Sequence, residues 1–431
     1  MPEYTALIEN LNNDDVNIRL ESLKALMEKI ASHELEAPIV GEDVNNHIHT
    51  IYSFSPYSPT KALWMAYNAG LKTAGIMDHD SISGAREFIE AGKIIGMATT
   101  IGIECRVDMS ATILHGKKIN NPDQNSIAYM ALHGIPHTQI DEVHNFFAPF
   151  IELRNIRNKG MVGKINELFE PFGIKIDFEK DVKPLSMYHR GGSITERHLS
   201  LALAKKLIET YGKGKKLVSF LKNKLQLNIN LKAEENLTDL KNPYYEYDLL
   251  GLIKSDLIGS FYLPASYECP DVMEVLSLSK KIGSISAYAY LGDVGDSVTG
   301  DKKTQKFEDD YIEDLFKVIH SLGFNSVTYM PSRNTLPQLT RLKALCEQYG
   351  FFQISGEDIN SPRQAFVCAA MKNNAFKNLI TSTWALIGHE KAATKDITKA
   401  MFSEETISAY PDLNNRINVY MEIGISPNHK D

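Results

Sequence analysis

The sequence predicts an α/β protein in which short strands alternate with amphipathic helices, as a parallel sheet or barrel with the helices outside it. Apolar runs that end in polar clusters recur along the chain: "GIMDHD", "TTIGIE", "SIAYMALHG", "SISAYAYLGD", "NSVTYMPSRN" and "FFQISGEDIN". Between many of them lie segments with helical spacing of apolar residues, such as "SPTKALWMAYNAGL", "GAREFIEAGKIIG", "YIEDLFKVIHSLG" and "TLPQLTRLKALCEQYG". Alternation of this kind favours a parallel sheet covered by helices. The polar residues fall where each strand ends, the face on which α/β barrels build their sites.

In chain order, residues 1–38 form an accessory helical extension. In "DDVNIRLESLKALMEKIASH", Val16, Ile18, Leu20, Leu23, Leu26, Met27 and Ile30 are placed near one helical face, behind an acidic start. Residues 39–140 carry the first strand and helix units. Residues 141–275 break the rhythm: they are helix-rich and carry the lysine-rich "YGKGKKLVSFLKNKL", so they form an insertion that caps the site. Those lysines are assigned to a solvated helix face. Residues 276–372 return to the barrel pattern, and 373–431 form a helical tail.

The 431 residues, 43% of them hydrophobic, are enough for a large core and more than one structural unit. No run of about eighteen apolar residues occurs and the N-terminus lacks a secretory pattern, so a cytoplasmic, non-membrane protein is expected. A net charge of −8 argues against a general nucleic-acid binder. An anionic substrate must meet its positive charge locally. Cys105, Cys269, Cys346 and Cys368 are far apart and read as reduced, buried thiols.

The chemistry concentrates in "VNNHIHTIYSFS" and "GIMDHDSISG". Residues two apart on a strand share a face, so His47 and His49 can reach one ion together. Asp78, His79 and Asp80 end the next strand, Glu104 the one after, and Asp358 a late one. Mixed imidazole and carboxylate donors suit zinc, manganese or iron better than calcium or magnesium.

"HIHTIYS", a helix, "GLKTAGIMDHDSISG", a second helix and "IGIE" resemble the first three motifs of the polymerase and histidinol phosphatase (PHP) domain. "ITERHLSLALAKKL" is similar to the helical insertion of its phosphoesterase branch, and the resemblance covers roughly residues 40 to 370. It implies a distorted seven-stranded β/α (TIM-like) barrel, a cluster of divalent metal at the strand C-termini, and hydrolysis of a small phosphorylated substrate. It carries metal ligation to His47, His49, Glu104 and Asp358, and catalytic roles to Asp78, His79 and His198. One or two ions of zinc, manganese or iron are expected, with no expectation for oligomeric state. Three positions depart from the family. Its next histidine falls on Ala128, with His133 nearby, Ala-His-Pro becomes Ala287, Tyr288 and Ala289, and Asp-x-His becomes Asp358, Ile359 and Asn360. Tyrosine and asparagine are weaker ligands than imidazole.

With fewer ligands, side chains must neutralise more of the phosphate. Arg197, Arg333 in "MPSRNT" and Arg363 in "NSPRQ" are the candidates, since guanidinium binds phosphate oxygens in pairs; Tyr288 and Asn360 join them as substrate contacts. "SITE", Ser193 to Glu196, is expected as a capping box beside Arg197. His115, His133, His137 and His144 follow the third motif as replacement ligands or ordinary polar positions. Asp293 and Asp296 in "LGDVGD" read as turn residues before oxygen ligands. Two other outcomes stay open: a degenerate PHP module that binds without turnover, and a metal-dependent amidohydrolase.

Overall fold

In a computed structural model, which describes residues 3–294 and 305–426, two helices, α1 (Glu3–Asn10) and α2 (Val16–Ala31), precede the sheet. Strand β1 (Val44–Ile48) leads to α3 (Pro59–Asn68), β2 (Thr73–His79) to α4 (Ala85–Ile95), and β3 (Ala98–Asp108) to β4 (Ile127–His133). The local reasons are ordinary ones. Ser58 caps α3 by accepting from the Lys61 amide and Pro59 sits at its first position, where no backbone donor is needed. The buried Arg19 of α2 forms a two-pronged ion pair with Glu87 of α4, and Thr60 donates to the same carboxylate, which ties the extension to the sheet's outer helices.

Five helices follow: α5 (Ile140–Phe169), α6 (Glu196–Tyr211), α7 (Lys215–Asn223), α8 (Leu231–Thr238) and α9 (Tyr245–Phe261). They gather round a core of their own, with Phe169, Leu203, Leu221 and Phe261 at its centre. The strand and helix pattern then resumes with α10 (Val272–Ile282), β5 (Ile285–Ala289), α11 (Ile312–Leu322), β6 (Ser326–Tyr329), α12 (Leu336–Tyr349) and β7 (Phe352–Ser355). Helices α13 (Lys377–Lys395), α14 (Glu404–Ala409) and α15 (Leu413–Ile425) end the described chain. No helix among the described residues is long and apolar enough to cross a membrane.

The seven strands form one sheet in sequence order. It curls into a half-barrel with mixed strand directions, where the pattern predicts a parallel sheet or barrel. β4 runs antiparallel to both β3 and β5, because residues 109–126 return the chain without a crossover helix. β1 and β7 form no backbone ladder: Ile48 bridges to Ile359 just past β7, and Asn46 donates to the Ser355 carbonyl. Ile103, Cys105, Val107 and Tyr288 face the outer helices, whereas Met77, Ala131 and Ala287 pack together on the inner face.

Helix α13 lies against the inner-face residues Ile285, Phe352 and Ile354. It is pinned there by Glu390, which accepts from the Ile101 amide, and by His389 on the Gly134 carbonyl. Its other side crosses α15 backbone to backbone: a Cβ on Gly388 would fall on the Tyr420 carbonyl, and one on Gly424 on that of Trp384. The methyl of Gly388→Ala is therefore expected to push the helices apart at a cost of about 3 kcal/mol, the upper end of overpacking. Chemical denaturation checks this; an unchanged midpoint would refute the crossing.

Candidate metal centre

β2 and β3 pair in parallel with His79 directly beside Glu104, so both side chains leave the sheet on the same face. In β1 an extra residue lies between Asn45 and Ile48, a bulge of the kind that re-aims side chains. Asn46 fixes it by donating to the Ser355 carbonyl and to Thr383 of α13. His47 and His49 thereby converge on Glu104, the three offering donor atoms within 4.8 Å of one another.

His47 Nε2 stands 3.2 Å from His49 Nε2 and 3.7 Å from Glu104 Oε2. Asp358 completes the ring, with Oδ1 3.1 Å from His49 Nε2. His79 Nδ1 approaches the same Glu104 oxygen at 3.0 Å. Asn360 donates to Asp358 Oδ1 at 2.6 Å and so orients it. The ring opens on one side: the His49 side chain is 1% exposed, those of His79 and Asp358 23% and 39%.

Asp78 lies one layer behind. Its carboxylate accepts from the Thr50 amide, the Thr50 hydroxyl and Ser53 Oγ at 2.6–2.7 Å. Ser53 spends its only proton on Asp78, so its oxygen can only accept from His49 Nδ1, 3.2 Å away. His49 is thus held as the Nδ1–H tautomer with the Nε2 lone pair aimed into the ring. Orientation of a ligating imidazole through its other nitrogen is the usual support of a metal site. Two imidazole nitrogens and two carboxylates turn lone pairs toward one another here, and a shared proton or a cation would relieve their repulsion. The donor set therefore fits a divalent ion.

The electrostatics agree. Burial opposes charge on Glu104, but the neighbouring His79 and His47 hold its carboxyl well below the usual range. Asp358 is likewise held low against burial, by the histidines and the Arg197 guanidinium around it. Burial and the His79 charge push His49 down, as a neutral ligand requires. His47 is pushed up: burial resists, but Glu104 and Asp358 outweigh it.

Other expected residues go elsewhere. His198 caps α6, its Nδ1 accepting from the Thr195 amide, and its ring meets Phe54 edge-on at 5.0 Å. The capping box is Thr195 with His198 rather than Ser193 with Glu196, because Glu196 is drawn away by three arginines. Those are Arg106 of β3 and Arg154 and Arg157 of α5, which also engage Asp80 and Glu268 in a buried six-charge network. Tyr288 points to the outer layer and donates to Glu308. Arg333 binds the Leu291 carbonyl, and Arg363 forms a bidentate pair with Asp248 of α9. Arg197 is half-buried beside Phe54, its guanidinium 6.0 Å from the ring.

Antiparallel pairing sets Ala131, not Ala128, opposite Glu104. His133, opposite Gly102, faces inward below the ring, kept neutral by burial and by the His47 charge, which push it down to about 3. His137 binds Glu390, His144 lies near Ser83, and His115 is exposed in its loop. Asp293 Oδ1 accepts from the Phe307 amide, across the loop rather than within a turn; Asp296 lies outside the described residues. Tyr129 was not anticipated. Two residues beyond Ala131 on the inward face of β4, its ring lies 5.9 Å from His79. Its signal was the alternation in "IAYMALH", legible only once the strand's direction is known.

No family model and no curated protein matches the chain. Among solved structures, it is similar to a proposed metal-dependent phosphoesterase from Bifidobacterium adolescentis at 17% identity, with a TM-score of 0.49 over 78% of this chain and 96% of that one. It is also similar to an amidohydrolase from Chromobacterium violaceum with bound sulfate and no metal, at 16% identity and a TM-score of 0.48 over 75% and 90%. At such distance the assignment of function falls to the side chains themselves.

Proposed function

We propose that the chain is a metal-dependent phosphoesterase of the PHP type, its distorted barrel bearing one zinc, manganese or iron ion on His47, His49, Glu104 and Asp358. The observation that carries this is the convergence of four donors from three separate parts of the chain, with the His49 tautomer set for ligation. One ion is favoured over two because Ala131 and Ala287 occupy inner positions beside Glu104 where further ligands would stand. Such an ion would polarise a phosphoryl oxygen and lower the pKa of a water molecule.

The chain's own groups supply the rest. His79, held through Nδ1 to Glu104 and partly exposed, is the group at the ring that would give or take a proton. Asp78, through Ser53, holds His49 in register. Arg197 offers a guanidinium to the phosphate. The substrate is a small phosphorylated molecule.

Elemental analysis of protein equilibrated with zinc or manganese, followed by a panel of phosphomonoesters and phosphodiesters, tests this. About one tightly held ion per chain together with turnover is expected. An ion without turnover would favour the binding module, which the inner-face alanines also suit, and no bound ion would overturn both readings.

A further inference from the structure

Two cations of the helical insertion stand near the ring without counter-ions. Arg197 is in the first turn of α6 and Lys254 is on α9, and these helices pack against each other. Phe54 fills the seam between them, clustered with Leu201 of α6 and Leu250 of α9 and 6.0 Å from the Tyr247 ring. Tyr247, Leu250 and Lys254 are three and four residues apart, so they share the α9 face that meets Phe54. Arg197 and Leu201 share the facing side of α6 in the same way. Lys254 therefore lies one turn beyond Leu250 on the face that meets Arg197.

Among the described residues neither Arg197 nor Lys254 has a hydrogen bond or ion pair. The acids within reach are committed elsewhere, save the exposed Asp123. Glu196 serves three arginines, Glu246 pairs with Lys205, and Asp248 with Arg363. Asp123 acts on Lys254 through space only. Arg197 is the largest influence on Lys254 and pushes it down to about 8, while the charge of Asp358 reaches both.

The charges at the mouth then balance in one way. Glu104 and Asp358 together would offset a single divalent ion, which leaves Arg197 and Lys254 with only the exposed Asp123 near them and no ion pair to it. Two unpaired like charges in a half-buried seam repel, and an anion bridging them relieves that repulsion. A terminal phosphate carries about two negative charges near neutral pH, whereas a phosphodiester carries one.

We propose that Arg197 and Lys254 form the seat of a dianionic terminal phosphate beside the metal centre, so that the preferred substrate is a phosphomonoester and Lys254 sets the preference. This rests on the phosphoesterase reading above.

The test is trace acetylation of lysines at about pH 8, read by mass spectrometry, with and without inorganic phosphate and with and without zinc. Phosphate is expected to suppress labelling of Lys254 about tenfold, as a charge-assisted contact implies, and to leave the exposed Lys216 unchanged. Arg197→Met is expected to remove the protection. Lys254→Met should lower kcat/KM for monoesters about 10- to 100-fold with diester turnover within about twofold, and Lys254→Arg should restore part of the loss. Equal labelling of Lys254 with and without phosphate, in both zinc states, would overturn the seat even if the protein hydrolyses phosphate esters. Protection in a protein that turns over no ester would sustain the seat and remove the hydrolase.

Discussion

His49→Ala is expected to strip the protein of its ion. Even a residue that only orients a ligating histidine is worth about 10- to 100-fold in metal affinity, so loss of the ligand itself should exceed about a hundredfold. Ser53→Ala, which releases the His49 tautomer without touching the ring, should fall inside that 10- to 100-fold interval. Equilibrium dialysis against zinc separates the two, with circular dichroism to show that both variants fold. Retention of wild-type affinity by His49→Ala would mean that the ring is a hydrogen-bonded polar cluster and nothing more. The pH dependence has a definite sign. Because Glu104 and Asp358 raise His47 above its ordinary value, protons compete for that ligand at a higher pH than for a free imidazole. Affinity should therefore decline as pH falls, beginning above the ordinary imidazole value of about 6.5.

Glu196→Gln should be the most damaging conservative change to stability. Glu196 faces Arg106, Arg154 and Arg157, and with Asp80 and Glu268 it balances their three charges. An amide would leave three buried cations against two acids, and breaking such a network costs about 3 to 5 kcal/mol. Burial works against the carboxylate, but the arginines, Arg154 first, hold its pKa far below the ordinary range. The linkage follows from that depression. The stabilisation is complete above the unfolded-state value near 4.3 and is lost as pH falls through the depressed native value. Denaturant midpoints of wild type and variant should thus differ most at neutral pH and approach each other in strong acid; a constant gap would rule out the charge as the cause.

The parts of the site legible in the sequence are those that obey a short-range rule. His47 and His49 are two apart at a strand end, and Glu104 and Asp358 each close an apolar run, so their gathering was legible although the β1 bulge that aims the histidines was not. What escaped depended on direction or parity. Nothing in 109–126 announces that β4 turns back, and the expected register at Ala128 slipped to Ala131. "ISAYA" is almost wholly buried on both faces, so its alternation could not tell that Ala287 points inward and Tyr288 outward. Lys254, embedded in "DLLGLIKSDLIG", has the appearance of a solvated helix position until α6 is laid beside it. Even the cap of α6 moved by two residues, because the pull of three arginines on Glu196 outweighs a local motif worth about 1 kcal/mol.

The placement of α13 bears on how the molecule comes to be assembled. A chain leaving the ribosome amino end first has all seven strands before the helix that lines their concave side. Until that helix docks, Ile285, Phe352 and Ile354 lie bare and Asn46 lacks its Thr383 partner. Nascent or stalled chains ending short of α13 would then be sticky substrates for chaperones, and the grip on the β1 bulge, together with the histidines it aims, would be among the last features to mature.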